Sequence, residues 1–361
     1  MIKKRSILIS CCFLLLAGCV QGEAIENLQI VESFGYDIAD RKKYQLTLAV
    51  TMFSPSENAA IKGETISDEN YTGYGAAWSA GRKSPKTMPT GKTLVTLFGE
   101  ELAKEGINDV IDGIERHPTI GGLVDFCVIE GEAKELLEGE YAFGQTVSRY
   151  LKSLLEQNKK MNLPITNFHA FMYGFYSKGQ TPFMPLIQKE GDQIKLTGLA
   201  LFKEDKYVDK INANQLFIFK MLYESMKGGT YEASISEQDK YAAIESVESN
   251  VNYTVSQGIS NPKVDINVEI KAFLNEVNSN VELKNKEDEE NLEKLIEEDL
   301  KENGLKLIKQ FQEKELDPLG IGDKVRSQTR GWESSKWSNL YPNATVDIKT
   351  KVDILETGII N

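Results

Sequence analysis

Apolar and polar positions alternate most strictly late in the chain. Val264, Ile266, Val268 and Ile270 are separated by Asp265, Asn267 and Glu269. A period of two predicts a strand with one buried and one wet face. The same period returns at Val346, Ile348, Val352 and Ile354. Earlier runs differ. Leu94 to Phe98 and Leu123 to Ile129 are nearly continuous apolar stretches, which suit strands buried on both faces. Tyr44 to Val50 is a third early strand, alternating in part.

Helical spacing appears between and after these runs. Leu102, Ile107, Val110, Ile111 and Ile114 predict a helix over 100–114, and Leu151, Leu154 and Leu155 predict one over 147–157. A further helix is expected over 214–227. The longest candidate is 287–314, where Leu292, Leu295, Ile296, Leu300, Leu307, Ile308 and Phe311 follow three-four spacing. Its acidic first turns suit the helix dipole, and Asp317-Pro318-Leu319-Gly320 stops it. Residues 54–91, rich in Ser, Thr, Gly, Asn and Pro, read as a long loop around one or two short elements. The polar stretch Gln188 to Gln193 is turn-like, and a second β/α pattern starts after it at Gly198. The expected fold class is therefore α+β, with mixed, largely antiparallel sheets flanked by helices in two to three domains. The chain divides into 1–18, 19–193 (two subdomains expected) and 194–361.

The first eighteen residues stand apart. Lys3, Lys4 and Arg5 precede the apolar run Ile7 to Gly18, as in an export signal. As a helix that run reaches about 18 Å, against a hydrocarbon core of about 30 Å, so it is too short to span. It ends in Leu16-Ala17-Gly18-Cys19, an arrangement that resembles a bacterial lipobox. In such signals the cysteine becomes the new N-terminus and carries a diacylglycerol, so Cys19 is the expected lipidation site. Two acyl chains suffice for stable anchoring where one is marginal. The expected location is the outer face of the cytoplasmic membrane.

Composition narrows the partners. Loss of Lys3, Lys4 and Arg5 with the signal, and of no acid, takes the net charge from −12 to −15. So acidic a domain presents no net positive field to the phosphates of nucleic acid, so no nucleic acid partner is expected. After Cys11 and Cys12 leave and Cys19 is lipidated, only Cys127 remains, and one thiol forms no internal disulfide. Its setting, Leu123 to Ile129, predicts a buried strand residue.

Chemical motifs are incomplete. Pro89-Thr90-Gly91-Lys92-Thr93 resembles the end of a P-loop, but Lys86 occupies the position of the first glycine. Gly73-Tyr74-Gly75 has Trp78 where a dinucleotide fingerprint needs its third glycine. His117 and His169 fall in no metal spacing, and the acidic run Glu287 to Glu290 lacks a calcium-loop pattern. No nucleophile elbow occurs. Trp332 and Trp337 can be binding anchors or can pin a terminal segment to the core, with the second favoured by the usual burial of tryptophan. Catalytic, ligand-binding and metal-ligating residues are thus assigned nowhere, and no enzyme activity or cofactor is expected beyond the lipid on Cys19.

Taken in order, these segments resemble a known family, the Ger(x)C lipoproteins, which are C subunits of spore-germination nutrient receptors. After Cys19 the resemblance runs through Ile25 to Asp37, ending in Gly35-Tyr36-Asp37. It continues through Phe98 to Ile107, Arg116-His117-Pro118 and Gly198 to Lys206. It closes with Gln312, Asp317 to Gly322, Trp332, Trp337 and the strand from Val346 to Gly358. The family usually carries a Trp shortly after the lipidated cysteine; this chain has none there.

The resemblance implies mixed sheets flanked by helices in three domains. It also implies a non-enzymatic subunit on the outer face of the spore inner membrane, acting in assembly or signal coupling with two polytopic partners, the A and B subunits. The alternative reading is a solute-binding lipoprotein of a transporter, which predicts repeated βαβ units and a ligand cleft. A lipid-anchored cell-wall hydrolase would require a paired-carboxylate, metal or Cys-His site that the sequence does not present.

Overall fold

The computed structural model describes residues 24–52, 62–236, 239–256, 262–278 and 285–357. Cys19 and the expected export signal lie outside these residues. Among the described residues, twelve strands form two sheets. The first comprises β1 (Gln29–Ala39), β2 (Lys43–Met52), β3 (Lys62–Asn70), β4 (Val95–Gly99), β5 (Asp125–Glu130), β6 (Phe183–Glu190), β7 (Gln193–Lys203) and β8 (Lys206–Asn212). The second comprises β9 (Thr230–Ser236), β10 (Lys240–Ser256), β11 (Lys263–Val277) and β12 (Thr345–Thr357). The helices are α1 (Gly73–Gly81), α2 (Glu100–Glu105), α3 (Asn108–Glu115), α4 (Ala133–Leu137), α5 (Val147–Lys160), α6 (Phe168–Tyr176), α7 (Leu216–Tyr223), α8 (Lys286–Glu313), α9 (Ile321–Gln328) and α10 (Ser334–Leu340).

The large sheet runs β3-β2-β1-β4-β5-β6-β7-β8. Its centre, β1-β4-β5-β6, is parallel, and antiparallel strands flank it on both sides. The small sheet runs β12-β11-β10-β9, with one parallel pair, β11 with β12. Mixed sheets with helices are thus the observed α+β class.

The burial of each strand follows its sequence pattern. β4 is buried throughout and β5 in all but its last residue, Glu130. Along β11, buried Val264, Ile266, Val268 and Ile270 alternate with more exposed neighbours. One face of the large sheet packs under α1, α3 and α6. The other face shares its core with α5, α7, α8 and the inner face of the small sheet, so the hydrophobic contacts run without a break from Leu97 and Leu199 through Phe217 and Phe219 to Ile266 and Leu300. The two sheets are joined by this core.

Three local features refine the sequence reading. The expected helix over 100–114 is two helices. Gly106 breaks it at φ +133°, a conformation L side chains rarely adopt. The Ile107 and Asn108 amides then bond the Asp205 carbonyl (3.1 Å) and carboxylate (3.2 Å). The loop expected over 54–91 contains β3 and α1. The polar turn near 191 lies inside the large sheet, as the β6–β7 hairpin with Gly191 at φ +64°.

Candidate functional site

β1 supplies one wall of the most distinctive pocket. Its alternation sends Phe34 and Tyr36 to the α1/α3 face and Gly35 and Asp37 to the other. An aromatic chain follows across the sheet from Phe34 to Tyr36, Phe98, Phe126 and Phe168, with centroid spacings of 6.1, 6.2, 5.2 and 4.8 Å. Above it, α1 and α3 diverge and leave a cavity of about 210 Å³. Phe34, Tyr36, Val110, Ile114 and Ile120 line it, and the exposed rings of Tyr74 and Trp78 form its rim. Helix α1 is fixed by Thr72, whose hydroxyl accepts from the Gly75 amide at 2.9 Å. Gly75 is required there, since a Cβ would meet the Asn70 and Thr72 side chains at 2.9 Å.

The pocket collects three motifs that looked unrelated in the sequence: Gly73-Tyr74-Gly75 with Trp78, Thr90 of the P-loop-like segment, and His117. Thr90 Oγ1 and Thr119 Oγ1 are 2.6 Å apart, and Thr119 Oγ1 lies 3.1 Å from His117 Nδ1. Asp109 accepts the Tyr44 hydroxyl at 3.3 Å. These polar groups satisfy one another at the margin. The accessible chemistry of the pocket is apolar and aromatic, suited to holding a ring or an aliphatic side chain.

Other sequence candidates fall elsewhere. His169 lies on α6 beside Tyr173 and Tyr176. Cys127 is fully buried in β5, and burial pushes its thiol well above the ordinary value, so it is a packing residue. Trp337 is buried, its ring centroid 5.6 Å from that of Tyr341. Trp332 packs on the shared core with the Arg326 guanidinium 5.8 Å above its ring. Both tryptophans thus pin the terminal segment. Among the described residues no group of three metal-ligating side chains converges.

The sequence motifs are instead engaged in internal capping, which spacing alone does not reveal. Asp37 accepts the amides of Ala133 (2.7 Å) and Lys134 (2.9 Å) at the start of α4. Gly35 and Gly99 make room for this cap. A Cβ on Gly35 would meet Leu137 Cδ1 at 2.8 Å, and one on Gly99 would overlap the Asp37 carboxylate. Asp317 accepts Ile321 (2.9 Å) and Gly322 (2.7 Å) at the start of α9, while its own amide bonds Thr181 Oγ1 at 2.7 Å. Desolvation raises the Asp37 carboxyl to about 6 and the Asp317 carboxyl to about 7. Two further buried acids are paired. Asp125 meets Lys152 at 2.9 Å and also Lys159, and Glu32 meets Arg149 Nε at 2.9 Å and the Thr146 hydroxyl at 2.7 Å.

Fold and site define a class: a two-sheet α+β protein whose motif residues hold the molecule together and whose open pocket is aromatic. Comparison with known proteins places it more closely. Residues 21–189 match the spore germination protein N-terminal domain, and 197–358 match the C-terminal domain described as spore germination B3/GerAC-like. The chain belongs to this Ger(x)C family of germinant-receptor C subunits. It is 28% identical to the spore germination protein GerQC of Bacillus cereus over 99% of both chains. It is 21% identical to the putative spore germination protein YfkR of Bacillus subtilis, covering 96% of this chain and 94% of the relative. The crystal structure of the GerBC protein superposes with a TM-score of 0.60 at 17% identity, covering 89% of this chain and 96% of that one, which shows a shared fold. The two matched regions meet within the β6–β7 hairpin and the start of β7.

Proposed function

We propose that the protein is the lipid-anchored, non-enzymatic subunit of a germinant receptor, coupling or assembling the membrane-embedded A and B subunits at the spore inner membrane. The observation that carries this reading is the match of both family domains, in order, over nearly the whole chain. Its acidic balance supports a role apart from nucleic acid. Attachment in this reading is through a diacylglycerol on Cys19, the residue that closes the lipobox-like Leu16-Ala17-Gly18-Cys19. An anchored domain has a high effective concentration beside its membrane partners, and modest interfaces then suffice. The test is affinity capture of the tagged chain from detergent-solubilised spore membranes. Co-purification of two polytopic subunits, with a diacylglycerol mass on Cys19, is the expected result. Recovery of a transporter permease instead would replace this reading with the solute-binding one.

A further inference from the structure

The stretch from Tyr71 to Gly99 contains no acidic residue and four cations, Arg82, Lys83, Lys86 and Lys92, in a chain of net charge −12. Most of these cations have no carboxylate partner among the described residues. Among the described residues, the contact of the Arg82 guanidinium is the Trp78 ring, 4.5 Å below it. Lys86 Nζ donates to the Glu26 carbonyl oxygen at 2.6 Å. Lys92 is exposed, and Lys83 alone forms an ion pair, to Asp68 at 3.4 Å. Beside them, Ile25 and Trp78 are 55% and 60% exposed.

This patch is fastened to the start of the described chain. The Gln29 amide donates to the Thr87 carbonyl at 3.0 Å, the Val31 amide to the Pro89 carbonyl at 3.1 Å, and Ser84 bonds Gln29. Ala24 is five residues from Cys19. Five residues span at most about 18 Å however they are arranged. The cationic patch is therefore at the end of the molecule nearest Cys19, and among the described residues Glu26 and Asp68 are the acids beside it.

We propose that this end, with Ile25, Trp78, Arg82, Lys86 and Lys92, rests on the anionic headgroup surface of the bilayer. Tryptophan seats at the headgroup level, and clustered Lys and Arg bind anionic lipid within a Debye length. Arg82 stacked on Trp78 presents a ring and a charge together. The patch thereby offsets the repulsion of an acidic domain from its own membrane and fixes which way the domain stands on it. The inference rests on lipidation at Cys19, and its test separates the two.

The lipidated full-length chain is placed in nanodiscs of phosphatidylcholine with or without phosphatidylglycerol, with acyl chains brominated to quench nearby tryptophan. Intact mass reports the lipid on Cys19. In anionic discs a fraction of the emission is expected to fall at least twofold. That fraction is absent from Trp78→Phe. Quenching is expected to be lost in Arg82→Glu/Lys86→Glu/Lys92→Glu and at high salt, while circular dichroism and the anchored fraction stay unchanged. An anchored protein whose Trp78 emission ignores bromination, or is quenched equally without phosphatidylglycerol, overturns the proposal and leaves the anchor intact. Shielding of Trp78 only when the membrane subunits are added also overturns it, in favour of a protein interface. A Cys19 without lipid overturns the anchor and the orientation together.

Discussion

The two sheets bury similar residues in different ways. In the large sheet, β4 and β5 are covered on both faces, and successive residues such as Leu97 and Phe98 are both inaccessible and belong to different cores. In the small sheet, β11 buries Val268 and Ile270 and leaves Glu269 between them on a wet face. A doubly covered strand has no tolerant positions. A singly covered strand has one for every residue it buries. Two family motifs act as caps on both sides of this contrast: Asp37 locks α4 against β1 of the large sheet, and Asp317 locks α9 against β10 of the small one.

The comparison breaks most visibly at Phe98 and Leu97. Phe98→Ala is expected to cost about 3–5 kcal/mol and Leu97→Ala about 2–5 kcal/mol in urea unfolding. In β11, Ile270→Ala costs about 2–5 kcal/mol, but Glu269→Ala stays within about 0.5 kcal/mol. Equal tolerance at Leu97 and Glu269 would remove the distinction.

Next in size is the buried charge pair under the large sheet. Asp125 is fully buried and meets Lys152 and Lys159. Asp125→Ala strands two partly buried ammonium groups and is expected to cost about 3 kcal/mol. The cross-strand pair Glu248–Lys271 at 3.2 Å lies on the wet face of the small sheet, and Glu248→Ala there should leave the urea midpoint where it is.

A further effect is pH-dependent. Burial raises Asp37 to about 6 and Asp317 to about 7 from an ordinary 3.8. An acid whose folded value is raised binds its proton more tightly in the folded state, so its contribution is fully present below the unfolded value and is lost as pH rises through the folded one. From these two groups, stability should fall between about pH 4 and pH 7. Urea midpoints at pH 5 and pH 7.5 check this. Asp317→Asn should flatten the difference, and an unchanged slope would show that Asp317 does not titrate in that window.

The smallest expected effect concerns how the sheets unfold. Their shared core predicts one transition. Fluorescence of Trp337 in the Trp78→Phe/Trp332→Phe background and far-ultraviolet circular dichroism of the whole chain should then give coincident midpoints. Separate midpoints would make the sheets independent units.

Legibility in the sequence follows the same contrast. The period of two made β11 and the end of β12 readable, and three-four spacing gave α5 and α8 nearly to their ends. β4 and β5 were readable as apolar runs, though nothing in a continuous run says which neighbour each strand takes. β3, Lys62–Asn70, was hidden because an edge strand can be polar on most positions. The turn at Gly191 carries the same polar signal in a hairpin as in a linker, and only pairing tells them apart. The caps at Asp37 and Asp317 join residues 96 and 4 apart along the chain. The second lies within reach of local reasoning, whereas the first depends on tertiary structure. The aromatic pocket was present as three unrelated fragments, and only the fold brought Trp78, Thr90 and His117 around one space.

The central claim, a germinant-receptor subunit that needs its anchor, is tested most directly by nutrient-triggered germination of spores carrying the wild-type gene, a deletion or Cys19→Ala. The account predicts that both mutants sporulate normally and fail to germinate with a particular nutrient. Unchanged germination across a broad nutrient panel, with reduced uptake of some solute, would contradict it.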